Sequence, residues 1–410
     1  MSLACLLIMV SMEKLDREIP SLSGERDLEL SVVLPCLNEA DTLATCIERV
    51  QRSLRKYDIA GEVIVADNGS TDGSQAIAER MGARIVPVTA RGYGNALASG
   101  IAVARGRFVI MGDADASYNF LEIPKFIEKL RQGFDLVQGC RLPSGGGHVA
   151  PGAMPLLHRW LGNPMLSVMA RHMFWAPIDD VYCGLRGFTK ELYGRLDLRC
   201  TGMEFATEMI VKASLLQARI TQVPITLYPD GRKTHASHLR TFRDGWLTLR
   251  FFLMHSPRWL FLYPGFFLVV LGTIGYAIAM PGFIIRGIHF DAHTLLFSSL
   301  FILLGYQSIV FAVLVRTFTV SEGLLPENRR ILRLLKVVNL ERGLVLGAGL
   351  LLFGSMLLLG AVNQWRLTHF GDLNYAKTMR WVAPGVMLTA LGFQTVLSSF
   401  FFSILRLSRR

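Results

Sequence analysis

Several features that would place this chain in a familiar soluble class are missing. Its six cysteines (Cys5, Cys36, Cys46, Cys140, Cys183 and Cys200) form no C-x-x-C pair, so neither a zinc ribbon nor a disulfide framework is expected. No GxxxxGK[ST] stretch occurs, and "GYGNALASG" (92–100) does not fit GxGxxG; a P-loop and a dinucleotide cofactor are therefore not indicated. The opening "MSLACLLIMVSMEKLD" has no basic residue ahead of its apolar run. That run is also too short to span a bilayer, so residues 1–27 stay unassigned.

Charge is missing from four long stretches: 260–285, 294–315, 343–362 and 381–405. Each is long enough to cross a hydrocarbon core, which takes about 20 helical residues. Four such runs in one half of a 410-residue chain are read as an all-α membrane domain of four transmembrane helices, 260–405. The runs contain no intramembrane charge, which argues against a transporter whose cytoplasmic part merely binds nucleotide.

What is present is an excess of basic residues, 43 Lys and Arg against 32 Asp and Glu, for a net charge of +11. Much of it flanks the apolar runs, in "GRKTHASHLRTFRDGWLTLRFFLMHSPRW", in the amphipathic segment 321–342 and in the tail "RLSRR". Anionic lipid is a better partner for it than nucleic acid. The positive-inside rule puts the large N-terminal domain, the 321–342 segment and both termini in the cytoplasm. Juxtamembrane amphipathic helices are expected over 233–259.

Residues 28–232 alternate apolar strands with amphipathic helices, the pattern of a mostly parallel sheet covered on both faces. Ligands of such sheets bind beyond the carboxyl ends of the strands. There the polar clusters "CLNEAD", "ADNGSTDG", "GDADASY" and "GCRLPSGGG" fall. In "GDADASY", Asp113 and Asp115 stand one residue apart after the strand "RFVIM". Two carboxylates so close repel unless a cation joins them. Mg²⁺ or Mn²⁺ takes one or two carboxylates and completes its shell with phosphate oxygens and water. Alone, however, D-x-D is a common solvated turn.

The set is more specific than the pair. "LPCLNEADTL", "VIVADNGSTDGS", "RGYGNALASGIAVARG" and "VIMGDADASY", in this order, resemble the family-two glycosyltransferases of the GT-A fold, over about residues 30–230. The resemblance implies that Pro35, Asn38 and Glu39 lie along the nucleotide, with Asn68, Ser70, Asp72 and Gly94 in the same donor site. Asp67 matches the acid that meets the base or ribose, and Asp113 and Asp115 match the metal pair. Further on, "GCR", "HRWLGN", "DDVYCGLRGF" and "GMEFATEMI" look like the polyprenyl-phosphate sugar synthases, relatives of the dolichol-phosphate glucose and mannose synthases. In that group Arg141, Arg159 and Asn163 lie on the side of the acceptor phosphate, and Asp180 opens a D-x-x-x-G-[FL]-R element. "HLRTFRDGWLTLRFF" resembles its juxtamembrane helix, which brings Arg240 and Arg243 to lipid headgroups or to the acceptor. Ser117 stands where mannose synthases often carry Gln, and Gly92-Tyr93-Gly94 where many relatives carry Gly-Lys-Gly. No Q-x-x-R-W motif is present, which argues against a processive polymer synthase.

The expected activity is inverting, metal-dependent transfer of a hexose from a nucleotide-diphospho-sugar to a polyprenyl phosphate. UDP-glucose is the favoured donor and GDP-mannose the alternative. A lipid alcohol as acceptor would need a general base, and Asp180 is the candidate. Glu204 and Glu208, four apart on one helix, fit either a site or a solvated face. Oligomeric state is not legible.

Overall fold

A computed structural model describes residues 28–232, 241–321 and 339–405. The chain divides into two units, Met1–Arg171 with Ala176–Arg240, and His172–Trp175 with Thr241–Arg410.

The first unit is built on a seven-stranded sheet: β1 (Leu30–Cys36), β2 (Gly61–Asp67), β3 (Arg84–Pro87), β4 (Phe108–Met111), β5 (Leu136–Cys140), β7 (Arg186–Thr189) and β8 (Ile220–Pro224), in the order β3-β2-β1-β4-β7-β5-β8. Only β7 runs against the others, paired antiparallel to both β4 and β5. A two-stranded ribbon of β6 (His148–Val149) and β9 (Thr226–Leu227) is separate.

Strand β1 shows why the sheet is covered twice. Leu30, Val32 and Leu34 pack with Leu43, Ile47 and Val50 of helix α1 (Leu43–Lys56). Those helical positions recur at the spacing of one helix face. Arg55 and Lys56 close the last turn, where cations suit the helix dipole. Val33 points the other way, against α3 (Tyr93–Ala102). A Cβ on Gly100 there would sit 2.5 Å from its Cγ1, so only glycine allows the helix to lie that close. Helices α2 (Ser74–Arg80) and α4 (Ile123–Arg131, with proline in its first turn) complete the early crossovers. Next come α5 (Asn163–Phe174), α6 (Lys190–Leu196), its N-terminus capped by Thr189 Oγ1, and α7 (Glu204–Leu215). Because β1, β2 and β4 are parallel, their carboxyl ends share one edge, and Asn38, Asp67 and Asp113 follow there.

The second unit contains α8 (Thr241–His255), a π-helical turn (Arg258–Leu262), α9 (Tyr263–Ala279), α10 (Ala292–Ser321), α11 (Leu340–Leu367) and α12 (Tyr375–Leu405). Four of its helices are long and apolar enough to cross a membrane: Arg258–Ala279, Ala292–Ser321, Leu340–Leu367 and Tyr375–Leu405. The first stops at Ala279, short of the expected Ile285. Pro281-Gly282 turns the chain with Gly282 at φ +76°, and Ile284–Ile285 pairs with Ile288–His289 as a small hairpin. Small residues bring the helices together. A Cβ on Gly305 would lie 2.5 Å from the Gly265 carbonyl, and one on Gly392 would lie 2.7 Å from the Gly347 carbonyl. Tyr306 and Thr395 share a 2.6 Å hydrogen bond between α10 and α12. Leu352, Met356 and Leu359 of α11 stay exposed, which suits a surface facing lipid. Of the 321–342 segment, residues 322–338 lie outside the described residues, as do 1–27 and 233–240.

Candidate active site

The edge formed by β1, β2 and β4 holds a cleft of about 660 Å³. It is lined by Pro35, Asn38, Glu39 and Asn68, by Asp113 and Asp115, and by Tyr93, Met203 and Arg232. Six expected residues therefore meet in one place. Asp67, Ser70, Asp72 and Gly94 stand behind them and hold the loops. The Asp67 carboxylate accepts from the backbone N–H groups of Gly69 and Ser70 and from Gln75 Nε2 at 2.5 Å. Ser70 Oγ accepts from Asn38 N at 2.9 Å, and Asp72 Oδ2 from Ala40 N at 2.8 Å. Asn68 spans the cleft's rim, donating to the Ala90 carbonyl and accepting from Gly92 N, each within 2.9 Å.

The acidic pair is held by one oxygen each. Asp113 Oδ1 accepts from the Tyr93 hydroxyl at 2.8 Å. Asp115 Oδ1 accepts from Ser117 Oγ at 2.5 Å and Ser117 N at 3.0 Å. Their Oδ2 atoms accept no hydrogen bond among the described residues, and the nearest cation to Asp115 Oδ2 is Arg232 Nη2 at 3.7 Å. Burial and the neighbouring Asp115 push the Asp113 carboxyl up to about 6. Two adjacent carboxylates, each with one oxygen that accepts no hydrogen bond among the described residues, fit a hard divalent ion, which would relieve that repulsion. No third His, Cys, Asp or Glu joins them as a ready cage among the described residues. Such an ion would take its other ligands from phosphate and water.

Arg232 is the residue that sequence reasoning missed. Its guanidinium pairs with Glu39 at 2.6 Å and Asp230 at 2.8 Å. Burial pulls its pKa down, but Glu39, Asp115 and Asp230 outweigh that and hold it above the usual value. It is a fixed cation beside the acidic pair. Tyr93 was noted only as a departure; the structure makes it a partner of Asp113. Behind both lies Arg186, wholly buried, donating to the carbonyls of Cys183 and Ala206.

Arg141, expected on the side of the acceptor phosphate, turns its fork to Asp180. Arg141 Nε and Nη2 bind the two oxygens of Asp180 at 2.7 and 2.8 Å, and Arg141 N donates to Asp180 Oδ2 at 3.0 Å. The pair is buried, with Arg141 8% and Asp180 0% exposed, and neither residue lines the cleft. Burial favours this pairing, because each charge loses water and gains the other. Both oxygens of Asp180, the candidate general base, are engaged by Arg141.

Arg159 also lies off the cleft, in a π-helical turn (His158–Gly162), with its guanidinium over the Trp160 ring at 5.3 Å. Its Nε is buried with no hydrogen-bond partner among the described residues. Around it Leu156, Leu157, Trp160 and Leu161 are exposed, Trp160 by 67%. Asn163 donates to Met154 Sδ at 3.4 Å. Arg243 is exposed on α8, and Arg240 lies outside the described residues. Glu208 proves to be structural: its Oε2 accepts from Arg199 N and Cys200 N at 2.9 and 2.8 Å, and its Oε1 pairs with Lys212.

Known proteins agree with this picture. Residues 31–194 match the family described as glycosyl transferase family 2, and residues 313–406 match the glycosyltransferase family 2 C-terminal transmembrane region. The low-salt glycan biosynthesis hexosyltransferase Agl6 of Haloferax volcanii is 36% identical over 92% of this chain and 90% of its own length. The dolichyl-phosphate hexose transferase of the same organism is 28% identical over 48% of this chain and 82% of its own. Among solved structures, glucosyl-3-phosphoglycerate synthase from Mycobacterium tuberculosis with Mn²⁺, UDP and glucosyl-3-phosphoglycerate is 22% identical. It covers 55% of this chain and 78% of that one, with a TM-score of 0.42. A mostly parallel sheet bearing an acidic pair at its carboxyl edge, followed by apolar helices and matched almost end to end by Agl6, makes this chain a glycosyltransferase of family 2.

Proposed function

We propose that this glycosyltransferase moves a hexose from a nucleotide-diphospho-sugar to the phosphate of a polyprenyl phosphate, with inversion at the anomeric carbon. The observation that carries the reading is the acidic pair in the cleft, where Asp113 Oδ2 and Asp115 Oδ2 accept no hydrogen bond among the described residues and Arg232 stands 3.7 Å from the latter. These two residues would hold Mg²⁺ or Mn²⁺, which when bound neutralises charge on the departing diphosphate. Asn38, Glu39 and Asn68 line the part of the cleft where the nucleotide would lie, and Arg232, tied to Glu39 and Asp230, adds a fixed positive charge beside its phosphates. UDP is the favoured nucleotide, with GDP the alternative.

The acceptor class rests on chemistry. A lipid alcohol needs a base, and Asp180 is locked to Arg141. A phosphate monoester needs none, because its second pKa is about 6 and it is mostly dianionic at neutral pH. Its oxygen attacks the anomeric carbon as the bond to the diphosphate oxygen breaks, and no proton has to move. The named activity of the Haloferax dolichyl-phosphate hexose transferase supports the same acceptor. Labelled UDP-glucose, GDP-mannose and UDP-N-acetylglucosamine, offered to the full-length protein in nanodiscs, test this. Transfer is expected to polyprenyl phosphate and not to polyprenol or diacylglycerol. Equal transfer to the alcohols would sink the reading.

Arg159, whose buried Nε has no hydrogen-bond partner among the described residues, is proposed to meet the acceptor phosphate, together with Asn163. Arg159→Ala should cost about 2–5 kcal/mol in lipid-dependent turnover, and Lys should rescue only in part because it lacks the planar fork. Nucleotide affinity should hold. If it collapses while lipid dependence is unchanged, Arg159 belongs to the donor side.

We also propose that the catalytic unit, both termini and the 321–342 segment face the cytoplasm, as their basic residues indicate. A reporter fused after Arg410 should be active only in the cytoplasm; activity on the other side of the membrane breaks this topology.

A further inference from the structure

Tyr93 lies between two glycines, and both are needed. Gly92 sits at φ +135°, and a Cβ on it would fall 2.4 Å from the Thr201 carbonyl oxygen. A Cβ on Gly94 would fall 2.5 Å from the Cys200 carbonyl oxygen. The first turn of α3 can therefore press against the 199–203 loop, and Gly94 N and Asn95 N both donate to the Thr201 carbonyl, at 2.9 and 3.3 Å. That loop is itself fixed from below, since Glu208 Oε2 accepts from the backbone N–H groups of Arg199 and Cys200. The result is a clamp whose output is the place of one phenol.

The phenol donates to Asp113 Oδ1. A free aspartate can turn about two side-chain bonds and offer either oxygen. With Oδ1 anchored, Oδ2 is the oxygen left to present. Asp115 is arranged in the same way, with Ser117 on its Oδ1. Each acid thus has one oxygen hydrogen-bonded within the protein and one that accepts no hydrogen bond among the described residues, Asp115 Oδ2 having Arg232 at 3.7 Å.

We infer that Tyr93 is a positioning residue for the divalent ion: held by the 199–203 loop and Glu208, its hydroxyl fixes Asp113 so that Oδ2 is presented to the metal. This rests on the proposed function in taking Asp113 and Asp115 as the ion's ligands. Tyr93 acts here through Asp113. A merely structural tyrosine would change stability when altered, and would leave metal affinity alone.

The test compares full-length wild type, Tyr93→Phe, Glu208→Gln, the double variant and Asp115→Asn. Mn²⁺ binding is followed by electron paramagnetic resonance with and without UDP, and melting temperature is recorded alongside. Tyr93→Phe should bind Mn²⁺ about tenfold more weakly, the expected effect of losing a hydrogen bond to a charged ligand. Most of the lost turnover should return at saturating Mn²⁺. Glu208→Gln should weaken Mn²⁺ less, and the double variant should be no weaker than Tyr93→Phe, because both act on one phenol. Should Tyr93→Phe melt early, Glu208→Gln carries the same reading from outside the cleft. Wild-type Mn²⁺ affinity in both Tyr93→Phe and Glu208→Gln, with binding lost in Asp115→Asn, overturns the inference and leaves the proposed function standing. Unchanged Mn²⁺ binding in Asp115→Asn as well overturns the metal reading of the site itself.

Discussion

Asp115→Asn is expected to cut sugar transfer by about a thousandfold, at every metal concentration, in a protein that stays folded and membrane-bound. The magnitude follows from the several kcal/mol that a metal contributes to charge stabilisation, at about 1.4 kcal/mol per decade of rate. The amide can keep the contacts from Ser117 to Oδ1, so the turn should survive. What it loses is the negative charge of Oδ2, the atom that faces Arg232 at 3.7 Å. Full activity of the variant across a Mn²⁺ and Mg²⁺ titration would remove Asp115 from the metal site.

The second large effect is on stability. Asp180→Ala should destabilise the catalytic unit by about 3–5 kcal/mol, because it strands the buried Arg141 guanidinium without its counter-ion. Burial works against that charge, and Asp180 outweighs it, holding the Arg141 pKa well above the ordinary arginine value. Denaturant unfolding of the nucleotide-free protein would read the loss, and a wild-type midpoint would contradict it. Arg141→Met combined with Asp180→Val removes both charges, and should regain much of the stability lost by either change alone. That double variant separates the roles of the pair. Normal turnover in it makes the pair a structural strap. Failure of lipid-dependent turnover in a well-folded double variant gives Arg141 a place at the acceptor phosphate.

The sequence was most readable where one physical signal dominates. Apolar strands ending in Asn, Asp and Ser marked the sheet and its carboxyl edge, and uncharged runs marked the membrane helices. The reversed strand β7 was not readable, because direction in a sheet is set by its neighbours and "RGFT" carries no mark of it. Within the site, Asp113 and Asp115 stood out by their spacing. Arg232 did not: in "YPDGRKTH" it looks like any solvated charge, and its partner Glu39 is 193 residues away. Tyr93 was hidden in a glycine-rich turn, where an aromatic ring suggests packing rather than a hydroxyl aimed at a carboxylate. Arg141 and Asp180 each read as candidate site residues, but their attachment to one another depends on a fold that brings positions 39 apart into contact. Glu208 shows the same limit, since its partners are backbone N–H groups, which no residue pattern displays.

The glycine contacts of the second unit bear on how this half of the gene can drift. Along α9 to α12, residues facing lipid can exchange among Leu, Phe, Val and Met at little cost, because the bilayer asks only for apolarity. Gly265, Gly305, Gly347 and Gly392 have no such freedom, since one added methyl at any of them would run into a neighbouring helix. A hydropathy profile weighs both kinds of position alike. Selection will not: across descendants, the seam should stand still while the outer faces wander.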